Sequence, residues 1–117
     1  MPNAVGPTIT LTRHHLRHII LKTFYVDGVS FRTALIIIAE TVSGVIGEVG
    51  LLQVGPIAVG EDTKVHMWSP YITATDLLND VVERWCPGCR WDIKENLIVV
   101  SEKERTHEYK RQDGKPG

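Results

Sequence analysis

The sequence predicts a small α+β domain, approximately βαββαββ, in which a mixed sheet carries two helices. Two segments, residues 31–43 and 74–85, carry apolar side chains at helical spacing. Around them lie short β-branched and aromatic runs bounded by Gly, Pro, Asn, Asp or Ser. Neither helix can hide its apolar stripe alone, and a shared strand surface covers both.

The elements follow in order. Residues 1–18 read as a lead-in, because Pro2, Gly6 and Pro7 oppose regular structure. Residues 20–26, Ile-Leu-Lys-Thr-Phe-Tyr-Val, read as a strand that stops at Asp27-Gly28. Ser30 is placed to cap a helix by accepting a hydrogen bond from a first-turn N–H. Phe31, Leu35, Ile38, Ala39 and Val42 form its stripe, and Gly44 reads as its stop. Ile36 and Ile37 fall partly off that stripe. Either the helix is buried on two sides or it offers an apolar surface to a partner, and burial is the preferred reading.

Residues 45–62 are punctuated by Gly47, Gly50, Gly55, Pro56 and Gly60, with short strands expected at 49–54 and 57–59. Residues 63–68 make a clearer strand, with Val65 and Met67 on one face and Lys64, His66 and Trp68 on the other, ending at Ser69-Pro70. Thr73 caps the second helix, with Asp76 three residues on, where an acid suits the positive end of the helix dipole. Leu77, Leu78, Val81, Val82 and Trp85 line one side of it, and Pro87-Gly88 ends it. A hairpin closes the domain. Trp91 and Ile93 alternate with Arg90 and Asp92, Lys94-Glu95-Asn96 turns the chain, and residues 97–100 return. Asn96 is the turn residue that best tolerates a positive φ. The domain thus spans residues 19–102, and residues 103–117 form a polar tail.

The totals narrow the function classes. A chain of 117 residues with 43% hydrophobic residues suits one core. A formal net charge of -1 gives no general attraction to nucleic acid or to an anionic membrane face. No segment approaches the roughly 18–20 apolar residues of a bilayer span. Residues 1–10 lack the charged-then-apolar order of a secretory signal, so the chain reads as cytosolic or as a trimmed piece of an exported protein.

Three stretches carry a family likeness. They are Val26-Asp27-Gly28-Val29-Ser30-Phe31-Arg32-Thr33-Ala34-Leu35; Lys64-Val65-His66-Met67-Trp68 with Thr73-Ala74-Thr75-Asp76-Leu77-Leu78; and Arg90-Trp91-Asp92-Ile93 through Asn96-Leu97-Ile98-Val99-Val100. In these the chain resembles the small domain at the N-terminus of secretins and of TonB-dependent signal-transducing receptors, the secretin/TonB short N-terminal domain. The likeness covers residues 20–102 and rests on apolar spacing. It implies a protein-interaction or ring-assembly role in the bacterial envelope, with no catalytic residues and no cofactor.

The candidate chemistry is sparse. Cys86-Pro87-Gly88-Cys89 has the spacing of a redox pair or half a zinc site. Redox thiols sit at a helix N-terminus, whereas Cys86 follows a helix end, where partial negative charge disfavours a thiolate. A zinc site needs two further ligands, which histidines would have to supply. The plainer reading is a turn closing the second helix, with a local disulfide as one option in an oxidising compartment. His14, His15 and His18 form a second cluster, with His14 and His18 on one face of a helix. Arg13 and Arg17 interleave with them, which favours a solvated basic segment over a cation site.

Trp85 and Trp91 read as core or half-buried. Trp68 shares its face with Lys64 and His66 and is the best exposed anchor for a partner. Partner-binding candidates are therefore Trp68, His66, Ile36 and Ile37. No Ser/His/Asp arrangement is recognisable, and Gly44, Gly47 and Gly50 lack the Gly-Lys-Ser/Thr ending of a phosphate loop. Protein–protein recognition, with self-association as one form, is the expected role. A small nucleic-acid-binding module, drawing on Arg13, Arg17, Lys22 and the basic residues of 103–111, is the alternative.

Overall fold

A computed structural model describes residues 9–57 and 63–103. Among these the order is α1 (Arg13–Leu16), β1 (Ile20–Ser30), α2 (Phe31–Ile46), β2 (Gln53–Ile57), β3 (Lys64–Thr73), α3 (Ala74–Trp85), β4 (Cys89–Lys94) and β5 (Leu97–Glu102). The α+β class and the βαββαββ order hold, with the single turn of α1 in front.

The strand surface differs from the one expected. It is divided into an antiparallel ribbon, β1–β3, and a three-stranded sheet ordered β2-β5-β4, in which β2 runs parallel to β5 and β4 antiparallel. The helices serve both. α2 packs against β1, β3 and β2, and α3 packs against β3 and β4. This is the physical sense of the broad apolar surface of α2. Phe31, Ala34, Leu35, Ile38, Ala39, Val42 and Ser43 are all buried. At about 100° per residue they cover roughly half the helix circumference, too wide an arc for one sheet. The two-sided burial preferred from the sequence accounts for it, with Ile37 partly buried and Ile36 left at the rim.

Several boundaries move, each for a local reason. Asp27-Gly28 does not end β1. Gly28 takes φ 77 and the register with β3 shifts between Asp27 and Val29, so one left-handed residue makes a bulge and the ladder continues to Ser30. Gly44 does not stop α2. The helix runs on to Ile46, and Gly47 at φ 98 ends it, its N–H bonded to the Ser43 carbonyl at 2.9 Å. The strand placed at 49–54 starts only at Gln53, because Val49 and Gly50 lie in the preceding turn. Ile57 closes β2, and positions 58 and 59 of the second short strand lie outside the described residues. Ser69-Pro70 does not end β3. Pro70 pairs across to Thr23, and a ribbon strand with one open edge has room for a residue that cannot donate there.

Helix α3 has the bounds read from the sequence, with the Thr73 hydroxyl accepting from the Asp76 N–H at 3.1 Å. The closing hairpin turns at Glu95 and Asn96, both at positive φ, as a two-residue connection demands.

The stretch read as lead-in is tied to the domain. Leu11 and Leu16 join the core, and Thr12 and His15 cap α1 reciprocally. The side chain of Asn96 acts as a strand partner for residues 9 and 11. Its Oδ1 accepts from the Leu11 N–H and its Nδ2 donates to the Ile9 carbonyl, both at 2.8 Å. A second tie is the buried Ser43, whose Oγ donates to the Ala39 carbonyl and accepts from the Leu52 N–H, each at 2.9 Å, pinning the α2–β2 connection to its helix.

Candidate functional site

The β1–β3 ribbon turns Phe24, Val26, Val65 and Met67 toward the core. Strand alternation then forces the intervening side chains outward. The register sets Tyr25 directly opposite Trp68, and Asp27 directly opposite His66. Tyr25 is 63% exposed and Trp68 64%. His66 Nδ1 lies 2.7 Å from Asp27 Oδ1, an exposed pair that orients two polar groups beside the aromatic one. Thr23 and Pro70 continue the row, and Tyr71, at φ 46 and 74% exposed, stands just beyond it. Among the described residues β1 and β3 pair only with each other, so each also presents one strand edge without a partner strand. Exposed backbone edges and a cross-strand Trp–Tyr pair are both means of holding another chain.

The four sequence-derived partner candidates fall in three places. Trp68 and His66 stand two residues apart on the ribbon's outer face. Ile37 packs against the core. Ile36 lines a separate groove of about 360 Å³ between α2 and β2, with Arg32, Ala39, Val49, Leu52 and Val54. Sequence reasoning missed Tyr25 and Asp27. Alternation within residues 20–26 would have placed Tyr25 opposite in sense to Phe24 and Val26, but its pairing with Trp68 depends on a register that no single strand encodes.

No family model matches the chain, and comparison with curated proteins and with solved structures found no match.

The remaining candidates are separated from the ribbon face. Cys86 caps the C-terminus of α3 and Cys89 opens β4; both are buried, with their sulfurs 2.8 Å apart. Burial, then the hydrogen bond and charge of Cys89 and the charge of Glu102, push the Cys86 thiol up from 9.0 to about 12. Desolvation, more than the helix end invoked from the sequence, holds it protonated at neutral pH. His14 and His18 meet edge to face at 4.9 Å between ring centres, while His15 is engaged in the cap of α1. Among the described residues no three His, Cys, Asp or Glu side chains converge as a metal site, so the cysteine pair and the histidines do not assemble the zinc set considered from ligand type.

The basic segment also loses a member. The Arg13 guanidinium lies 4.0 Å over the Trp91 ring and donates to the Trp91 carbonyl. Trp91 is buried, its indole N–H bonded to Asn79 Oδ1 at 2.7 Å, and Trp85 is partly buried against the core. Of the basic tail, residues 104–111 lie outside the described residues. No helix among the described residues is long and apolar enough to cross a membrane.

Proposed function

We propose that this chain is a non-catalytic protein–protein interaction or assembly module, and that the outer face of the β1–β3 ribbon is its docking surface. The observation that carries the reading is the Tyr25–Trp68 pair. Two large aromatic side chains face each other across a ribbon, mostly in solvent, although a packed core lies on the opposite face. Such residues contribute disproportionately to protein interfaces, because their large rigid surfaces lose little conformational freedom on docking. The Asp27–His66 pair adds hydrogen-bonding direction next to them. Among the described residues one edge of β1 and one of β3 have no partner strand, which allows another chain to lengthen the ribbon.

The resemblance to the secretin/TonB short N-terminal domain, carried by the stretches at 26–35, 64–78 and 90–100, would place this interaction in an envelope secretion or receptor system. Self-assembly is then one form the interaction takes.

Two measurements test the proposal. Sedimentation velocity over a wide concentration range reads self-association directly. Capture from bacterial envelope extract, followed by mass spectrometry, reads a hetero-partner. A species held by the wild type and by the surface control Lys94→Ala, but lost with Trp68→Ala or Tyr25→Ala, is the expected result. Association or capture indifferent to both aromatic substitutions would overturn the docking face. Salt-steep binding of single-stranded nucleic acid, lost with the same substitutions, would instead favour the nucleic-acid alternative, since bases stack on exposed aromatic rings.

A further inference from the structure

The connection from α3 to β4 is a four-residue turn, Cys86-Pro87-Gly88-Cys89, with a cysteine at each end. Three features make it a closed unit. The Cys89 N–H bonds to the Cys86 carbonyl at 3.1 Å. Gly88 takes φ 85, the left-handed conformation that lets the chain reverse without a Cβ penalty. The Lys103 N–H then bonds to the Gly88 carbonyl at 2.9 Å, fastening the turn to the residue that follows β5. Inside this frame the two sulfurs are 2.8 Å apart and both side chains are almost wholly buried. A bonded separation of about 2.05 Å lies less than an ångström away.

We propose that Cys86 and Cys89 form a structural disulfide that clips the end of α3 to the start of β4 when the chain meets an oxidising thiol–disulfide pool. The bond replaces two S–H groups. One cysteine sulfur attacks an external disulfide and releases its first thiol. The second cysteine then displaces the remaining half, so that both protons and both electrons leave on two molecules of reduced thiol. A catalytic redox role fits this place less well. The pair is buried at the C-terminal end of a helix, and the Cys86 thiol stays protonated at neutral pH. Half a zinc site fits less well too, since no third ligand converges on it among the described residues.

The clip is distinct from the docking face. Helix α3 has 12 residues and so separates its two ends by roughly 18 Å, with the ribbon joined at Thr73 and the cysteines at the far end. Ribbon binding and disulfide formation can therefore fail independently.

The experiment equilibrates the intact chain with oxidised glutathione, unfolds it in iodoacetamide without reductant, and weighs it. The expected mass carries no alkyl group and is short of two hydrogens, with a cross-linked peptide spanning Cys86 and Cys89. Prior reduction should give two alkyl groups. Two alkylated thiols after oxidation, or glutathione retained on either cysteine, would overturn the proposal. A urea titration then asks whether the bond is structural. Closing so short a loop should raise the folding equilibrium constant roughly tenfold, and reductant should abolish the gain. In Cys86→Ala/Cys89→Ala reductant should change nothing. A wild-type midpoint equally insensitive to reductant would show that the bond, though formed, holds nothing in place.

Discussion

Trp68 and Trp91 both lie within β-strands, yet one faces solvent and the other is sealed. In the ribbon the pleat sends Val65 and Met67 inward and leaves Trp68 outside, opposite Tyr25. In the three-stranded sheet the same alternation sends Trp91 inward. There the Arg13 guanidinium covers its ring and Asn79 accepts from its indole N–H. The inner tryptophan has an acceptor for its indole N–H, as a buried indole requires, and a cation over its ring. For the outer one, the aromatic ring of Tyr25 is the cross-strand neighbour. The comparison separates a side chain that the fold needs from one that the fold can spare for another molecule.

Truncating each tryptophan should have unequal consequences for stability. Trp91→Ala should cost about 3–5 kcal/mol in a urea titration, since it removes a large buried side chain and opens a cavity. Trp68→Ala should stay within about 0.5 kcal/mol of wild type, as exposed substitutions usually do. Equal losses would mean that the ribbon face is structural, and the docking proposal would fall with it.

The positive-φ positions extend the contrast. Asn96→Ala should cost about 2–4 kcal/mol, from left-handed strain and from a buried Leu11 N–H left without an acceptor. Asn96→Gly should recover the strain part alone. Gly28→Ala, in the ribbon bulge, should cost about 1–2 kcal/mol from strain only, because the nearest atom to an added Cβ is 3.7 Å away. Denaturant midpoints of the three variants settle the order.

The sequence disclosed helix α3 to the residue, the cap at Ser30 and the turn at Asn96, because caps, stripes and turn residues are local signals. It misplaced the ends of β1, β3 and α2, where Gly28, Pro70 and Gly44 each look like stops. A bulge, an open strand edge and, for the exposed Gly44, packing on the helix's opposite face tolerated these residues, and none of those contexts is local. The division into two sheets was illegible for the same reason, since strand partners are chosen across the chain. Of the candidate site, Trp68 and His66 were legible from alternation alone. Tyr25 and Asp27 were not, because naming them requires the register of β1 against β3.

The sheet side should also respond to alkali. The Cys86 thiol is raised from 9.0 to about 12 in the fold, so the folded state holds its proton more tightly than the unfolded chain. This contribution is complete below about pH 9 and fades as pH rises toward 12. The reduced protein should then lose stability progressively across that window. Cys86→Ala/Cys89→Ala should lack this slope, which urea titrations at stepped pH would read. A slope unchanged by the double substitution would assign the alkaline loss to other groups.

The smallest effect bears most directly on the ribbon. If Tyr25 and Trp68 serve a partner more than the fold, their mutual contribution to stability should be modest. A double-mutant cycle of Tyr25→Ala and Trp68→Ala, read by urea unfolding, should give a coupling of about 0.2–1 kcal/mol, the range for directly opposed cross-strand aromatic pairs. The same cycle read by binding should give a larger coupling, because docking would remove both rings from water together. A binding coupling no greater than the folding one would mean that the two rings do not act as a single contact surface, and the docking face would have to be sought along the strand edges, where the backbone, not the side chains, does the holding.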